Sequence, residues 1–264
     1  MLLLKSFIQV EDVVLGEATV RKWTVPSQAL QECLDLMAEQ QQDEFGKGIV
    51  STLPPLAEVI GSSDLAPGVY EGGFKLWEGA ADLVAHLQET EKVHGVSYAG
   101  KKVLELGCGH GVPGIYLWKQ GAEVHLQDYN SEVLELLTIP NARLNAAEEN
   151  KETMERVEFY SGDWGLLTEL LPRHAYDVIL TAETIYNVQS LPRLFALIKH
   201  CLKPPHGVCY VAAKNYYFSV GGGCRQFEEM VKKDGLFETT VEKVIKDGSS
   251  NVREIIKVSF KSES

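Results

Sequence analysis

The chain has 264 residues, and its 25 basic and 37 acidic side chains leave a formal net charge of −12. That balance disfavours direct contact with nucleic-acid phosphates and favours a basic partner. Five cysteines at 33, 108, 201, 209 and 224 form no C-x-x-C pair, which argues for a reduced intracellular compartment and against a zinc site. No apolar run approaches the roughly 20 residues that span a bilayer, and MLLLKSF has no cleavage pattern, so a soluble protein is expected.

Residues 1–66 read as an N-terminal extension packing on a core formed by 67–264. Leu2–Val14 has room for a short strand or two, and Pro26–Gln42 has the helical spacing of Leu30, Cys33, Leu34 and Met37. Phe45–Pro55 and Ser62–Pro67 read as loops. Gly68–Gly79, GVYEGGFKLWEG, is dense in glycine and rings and runs into a helical pattern over Trp77–Leu87. It reads either as a tight turn under aromatic rings or as a lid whose Trp77 and Glu78 touch a cofactor.

The stretch Lys102–Gly114, KVLELGCGHGVPG, couples an apolar strand to a glycine-rich turn and then to a helical segment, Ile115–Gln120. A strand, glycine turn and helix place backbone N–H groups around a ligand, and glycine admits the positive φ and close approach that such a turn needs. Gly109-x-Gly111-x-x-Gly114 satisfies the dinucleotide fingerprint. Glu105 points elsewhere, because a carboxylate two residues before Gly107 would repel a pyrophosphate. The stretch is similar instead to motif I of seven-strand S-adenosylmethionine-dependent methyltransferases. In that family the acidic residue helps hold the cationic methionine amino group.

Beyond this turn the alternation is regular. Strands are expected at Glu123–Gln127, Val157–Ser161, Tyr176–Ala182 and Val208–Ala213, with helices at Ser131–Leu137, Leu166–Leu171, Leu191–Leu202 and Gln226–Lys233. Ile139–Ala147 reads as a further turn or two of helix. Phe237–Ile245 and Val252–Phe260 close the chain as a hairpin through Asp247-Gly248. The fold class is therefore α/β, a Rossmann-like seven-strand methyltransferase sheet that is mostly parallel, with a C-terminal antiparallel hairpin and an N-terminal extension.

Ligands of open α/β sheets lie at the carboxyl ends of the strands. Asp128 ends the second strand of the core and can accept both ribose hydroxyls, or simply cap the next helix. Asp163 ends the third, as an acceptor for an adenine amino group or again as a cap, and Trp164 is placed to stack on the ring. The fourth end, Thr181–Asn187, supplies Glu183, Tyr186 and Asn187 as candidate catalytic groups. Its E-x-x-Y spacing resembles the D/E-x-x-Y/F motif of methyltransferases acting on protein lysine or histidine. Lys214–Gly223, KNYYFSVGGG, follows the fifth strand as a ring-bearing loop suited to gripping a peptide, or as a plain flexible connection.

GVYEGGFKLWE, KKVLELGCGHGVPGI, QDYN, SGDW, ETIYN and YYFSVGGG, in this order, resemble the protein-histidine N-methyltransferases whose known substrate is a large-subunit ribosomal protein. The resemblance covers roughly Gly68–Lys261. It implies that Trp77, Glu78, Gly79, the loop with Gly107 and Gly109, Gln127, Asp128, Tyr129, Gly162, Asp163, Trp164 and Ala182 contact S-adenosylmethionine. It also implies a basic ribosomal protein as partner and residence in cytosol and nucleus, the nucleolus included; a monomer is expected, with no metal. His110 and Pro113 depart from the family, standing where a small residue and an aliphatic one are expected. A protein-lysine methyltransferase, a small-molecule methyltransferase and a non-catalytic cofactor-binding partner in ribosome assembly are the alternatives.

Overall fold

Seven strands form the main sheet of the computed structural model, in the order β5-β4-β3-β6-β7-β9-β8. The described residues are 9–24, 26–35, 56, 65–66, 68–148, 154–218, 220–248 and 251–262. The sheet is built from β3 (Lys102–Leu106), β4 (Glu123–Asp128), β5 (Val157–Ser161), β6 (Val178–Ala182) and β7 (Val208–Lys214), all parallel. The final hairpin, β8 (Phe237–Ile245) and β9 (Arg253–Phe260), adds β9 antiparallel to β7 and to β8. The strand order reverses about β3, which puts the ends of β3 and β6 side by side at the switch point.

The central strands are buried on both faces, so they read as nearly unbroken apolar runs. Side chains alternate between faces. In β3, Val103 joins the core under α2 (Glu78–His94) and α3 (Val112–Lys119), with Leu83, Leu87, Ile115 and Leu117. Leu104 and Leu106 join the opposite core under α6 (Leu191–Cys201) and α7 (Cys224–Asp234), with Leu194, Ile198, Phe227 and Val231. Glu105 therefore faces α3, where a carboxylate needs a partner.

Helix boundaries differ from the sequence expectation for local reasons. α2 continues to His94 and stops at Gly95, whose φ of 65° allows the left-handed end. α3 starts three residues earlier than expected because Pro113 sits in its first turn, where a missing N–H costs nothing. The segments read separately from Ser131 and Ile139 form one run, α4: Ser131–Val133, a π-helical stretch Leu134–Thr138, then Ile139–Glu148. α5 spans Trp164–Leu167 rather than starting at Leu166, since Asp163 caps it by accepting from Gly165 N at 2.8 Å. Tyr176 makes an isolated bridge to Leu202, and β6 begins at Val178.

At the N-terminus, β1 (Gln9–Leu15) and β2 (Ala18–Thr24) form a separate antiparallel hairpin about Gly16, φ 62°. Its second strand lies beyond the Leu2–Val14 stretch expected to hold strands. Leu15 and Val20 enter the main core. Two fully buried amides on α4 hold its edge: Asn141 Oδ1 accepts from Trp23 N at 2.7 Å, and Asn145 bonds both Arg21 N and Arg21 O. α1 is helical over 27–35; the rest of the expected Pro26–Gln42 helix, and the Phe45–Pro55 loop, lie outside the described residues.

Candidate active site

The ends of β3, β4 and β6 and the segment before α2 enclose a cavity lined by Trp77, Glu105, Gly107, Gly109, Asp128, Tyr129, Asp163, Trp164, Ala182, Glu183 and Tyr186 among others. Most of the candidate residues thus meet around one space. Glu105 Oε2 accepts from Gly114 N at 2.7 Å in the first turn of α3. A Cβ on Gly114 would stand 2.6 Å from that oxygen and 2.5 Å from Leu126 Cδ2, so only glycine fits. Burial pushes the Glu105 carboxyl up to about 8; the Gly114 bond opposes this and the Asp128 charge adds to it.

Asp128 Oδ2 accepts from Gly109 N at 2.9 Å, and its Oδ1 accepts from Asn130 N at 3.2 Å. The carboxylate therefore shapes the glycine loop itself. It retains further lone pairs for ligand hydroxyls, since an ionised carboxylate can accept about four bonds. Burial pushes it up to about 6 against those backbone N–H groups. Asp163 serves as helix cap and pairs through Oδ2 with Arg193 Nη1 at 2.8 Å, while still lining the cavity.

Glu183 follows β6 in the left-handed region, φ 59°, a conformation uncommon for a residue with a side chain. It is 7% exposed. Its Oε2 accepts from the Tyr217 hydroxyl, and its Oε1 is buried without a partner. Burial raises its pKa; the Tyr217 bond and the nearby Lys214 charge act in the other direction. Tyr186 lies beside this pair, its ring 6.2 Å from the Tyr217 ring. Tyr217 was not singled out from the sequence, because the pair spans 34 positions and only the strand end carries a signal.

Several expected contacts lie outside the cavity lining. Glu78 is half-exposed and faces Lys214 Nζ at 3.7 Å. Gly79 stands behind Glu183: a Cβ there would meet Glu183 Oε1 at 3.0 Å. Gln127 is fully buried as a strut, accepting from Gly107 N and Trp164 Nε1 and donating to Gly162 O. Gly162 thus supports Gln127, and Asn187 Oδ1 accepts from Gln189 N at 2.9 Å in a turn at the rim.

The 68–77 segment lies over the glycine loop. Tyr129 OH donates to Gly68 O, Asn130 Nδ2 to Val69 O, and Trp77 Nε1 to Gly72 O. His110 Nε2 pairs with Phe74 O at 3.1 Å, and burial pushes this ring down to about 4, so it is neutral. The unexpected histidine therefore ties the loop to its cover. Gly73 fits only as glycine, since a Cβ would be 2.8 Å from Val133 Cγ1 and 3.2 Å from Asp128 Oδ2.

The lining is rich in acceptors. Glu105 and Asp128 suit a ligand with cationic and hydroxyl donors, and poorly suit a pyrophosphate. That donor set fits the amino group and ribose of S-adenosylmethionine.

Comparisons agree with this geometry. A family model described as lysine methyltransferase matches residues 68–222. The chain is 46% identical over 204 residues to the histidine protein methyltransferase 1 homolog of Dictyostelium discoideum, covering 77% of this chain and 63% of that protein. It is 38% identical over 223 residues to the homolog of Bos taurus, covering 75% and 58%. The chain thus spans about three-fifths of the length of these relatives. A magnesium protoporphyrin IX methyltransferase from Synechocystis, solved with SAH bound, superposes with a TM-score of 0.54 at 12% identity. It covers 89% of this chain and all of that one, a likeness of fold.

Proposed function

We propose, from the premise that this chain belongs to the lysine methyltransferase family, that it transfers the methyl group of S-adenosylmethionine to a histidine ring nitrogen of a protein. The observation that carries methyl transfer to a side-chain nitrogen is Glu183, a buried carboxylate with one oxygen fixed by Tyr217 and the other unpartnered, beside an acceptor-rich cavity. The names of the relatives at 46% and 38% identity favour histidine as the acceptor.

Bound S-adenosylmethionine supplies an electrophilic methyl group on a sulfonium sulfur. Glu105 would hold its ammonium and Asp128 its ribose hydroxyls, and Trp164 would stack on its adenine. A neutral imidazole is already nucleophilic, so holding it in line supplies much of the rate. The Glu183 carboxylate accepts a hydrogen bond from the N–H of the ring nitrogen that does not attack, which fixes the tautomer. As positive charge builds on the ring, the Glu183 charge stabilises it. Tyr186 borders the ring, and the cover over the glycine loop excludes water.

The substrate we infer is a basic large-subunit ribosomal protein, as the resemblance of the six motifs implies; the net charge of −12 supports only that the partner is basic. Residence in cytosol and nucleus, and action as a monomer, belong to the same reading. Incubating the protein with purified large-subunit ribosomal proteins and methyl-labelled S-adenosylmethionine should label one band. No labelled band would overturn the substrate assignment. The second reading, a lysine acceptor, is favoured by the description of the matching family model. Neutral lysine is scarce below about pH 9, so an unassisted lysine enzyme should keep gaining rate toward that pH, whereas a histidine enzyme should level off by about pH 7.5.

A further inference from the structure

We propose that the outward rings of Tyr216 and Phe218, with Val188 beside their loop, dock an apolar side chain of the protein substrate near its acceptor residue. This rests on the protein-substrate reading above. Three consecutive rings leave β7, and they face different ways. Tyr217 turns inward, donating to Glu183 and packing against Tyr186. Its neighbours turn outward: Tyr216 is 46% and Phe218 72% exposed. The two outer rings meet edge to face at 5.3 Å. Val188, 46% exposed, lies beside the loop that carries them, since a Cβ on Gly221 would lie 3.9 Å from its Cγ2.

The rings sit on an ordered frame. Tyr217 N donates to Gly222 O, Gly221 N to Tyr217 O, and Gly222 N to Tyr186 O at 2.9 Å. A Cβ on Gly222 would stand 2.3 Å from the carbonyl oxygens of Ile185 and Tyr186, so the loop lies directly on the strand end that carries Glu183. Asn187 and Gly221 add a bridge, and Asn215 N donates to Val252 O. Two large rings are thus held in water by backbone bonds that make no use of their apolar surface. Contiguous exposed apolar surface of this kind marks an interaction site, and this one is continuous with the proposed reaction site.

The occupant is a segment of the substrate, not a small molecule. Tyr217 spans the step from the carboxylate to the patch, so an extended segment with its acceptor at Glu183 would bring a residue about two to three positions away onto the rings. That residue is an aromatic or branched aliphatic side chain. The rest of the segment is basic, matching the charge of −12 on this chain.

The test uses fluorescein-labelled 15-residue peptides rich in lysine and arginine, with a central histidine and either leucine and phenylalanine or serine at positions two and three on each side. Anisotropy is read with the full chain saturated by S-adenosylhomocysteine. The apolar peptides should bind about tenfold tighter than the serine peptides. Phe218→Ser, alone and with Val188→Ser, should abolish that preference while S-adenosylhomocysteine affinity and melting temperature stay unchanged. No binding, equal binding of both sets, or a preference retained in both variants overturns the docking surface. Methyl transfer to the same peptides is read separately. Bound peptides labelled on lysine, or not labelled, would contradict the histidine reading and leave the docking surface standing.

Discussion

Glu105 is held uncharged over part of the neutral range by burial, with its carboxyl pushed up from 4.5 to about 8. A ligand ammonium beside it favours ionisation, so binding at pH 7 should release protons. Calorimetry of S-adenosylhomocysteine binding in buffers of different ionisation enthalpy should show that release, and Glu105→Gln should lose most of it. The same enthalpy in every buffer contradicts the assignment. Because the folded pKa lies above the ordinary one, the ligand-free protein bears no cost below about pH 4.5 and a growing cost toward pH 8. Its melting temperature should therefore fall over that window, less so in Glu105→Gln. At Glu183, replacement by Gln should slow turnover on the order of 10²–10³-fold while leaving S-adenosylhomocysteine affinity nearly unchanged. Tyr217→Phe removes a bond that lowers the Glu183 pKa, so the acidic limb of the kcat profile should move to higher pH; an unmoved limb would show that Tyr217 does not act through Glu183. Glu105, Asp128 and Glu183 were legible in the sequence because each sits in or just after an apolar strand where a carboxylate serves no core. The Tyr217 partner, the strut role of Gln127 and the place of Gly79 behind Glu183 were not, since each is defined by a residue far along the chain.

Among the elements, the cover at 68–77 owes its seat to Gly73, whose φ is ordinary but whose surroundings are full. Gly73→Ala forces a methyl group against Val133 and Asp128. Cofactor affinity should drop about tenfold or more with little change in melting temperature, because the clash lies in the cover rather than the core. Unchanged affinity would mean that the cover does not close the cavity. The N-terminal hairpin depends on Asn145, which satisfies Arg21 N and O. Asn145→Ala removes these bonds at a cost of about 1–3 kcal/mol, visible as a melting temperature lower by several degrees. The β/α alternation was readable because buried parallel strands are apolar without interruption. The hairpin strand Ala18–Thr24 was not, since ATVRKWT mixes basic and apolar residues and its outer edge is satisfied by amides more than a hundred residues away. The π-helical stretch Leu134–Thr138 likewise leaves no mark, because its residues are ordinary helix formers.

For the whole molecule, a seven-strand sheet with its order reversed about β3 sets the ligand site at one edge of the fold, and strand ends at 105–107, 128, 163 and 183 converge there. The fold and the convergence both followed from one periodic pattern, which is why they were legible together. The acceptor did not follow from that pattern: a buried carboxylate next to a tyrosine serves an imidazole or an amine equally well, and histidine came from the resemblance of six motifs, with which the relatives' names agree. If the substrate is basic as proposed, a protein of net charge −12 should find it faster at low ionic strength, and raising salt should lower kcat/KM chiefly through KM. The most direct measurement is amino-acid analysis of the labelled product after incubation with methyl-labelled S-adenosylmethionine and extract from cells lacking the endogenous protein. Methylhistidine in a single protein, absent when Glu183→Gln replaces the wild type, is the expected result; methyllysine as the sole labelled residue, or no label at all, would contradict it.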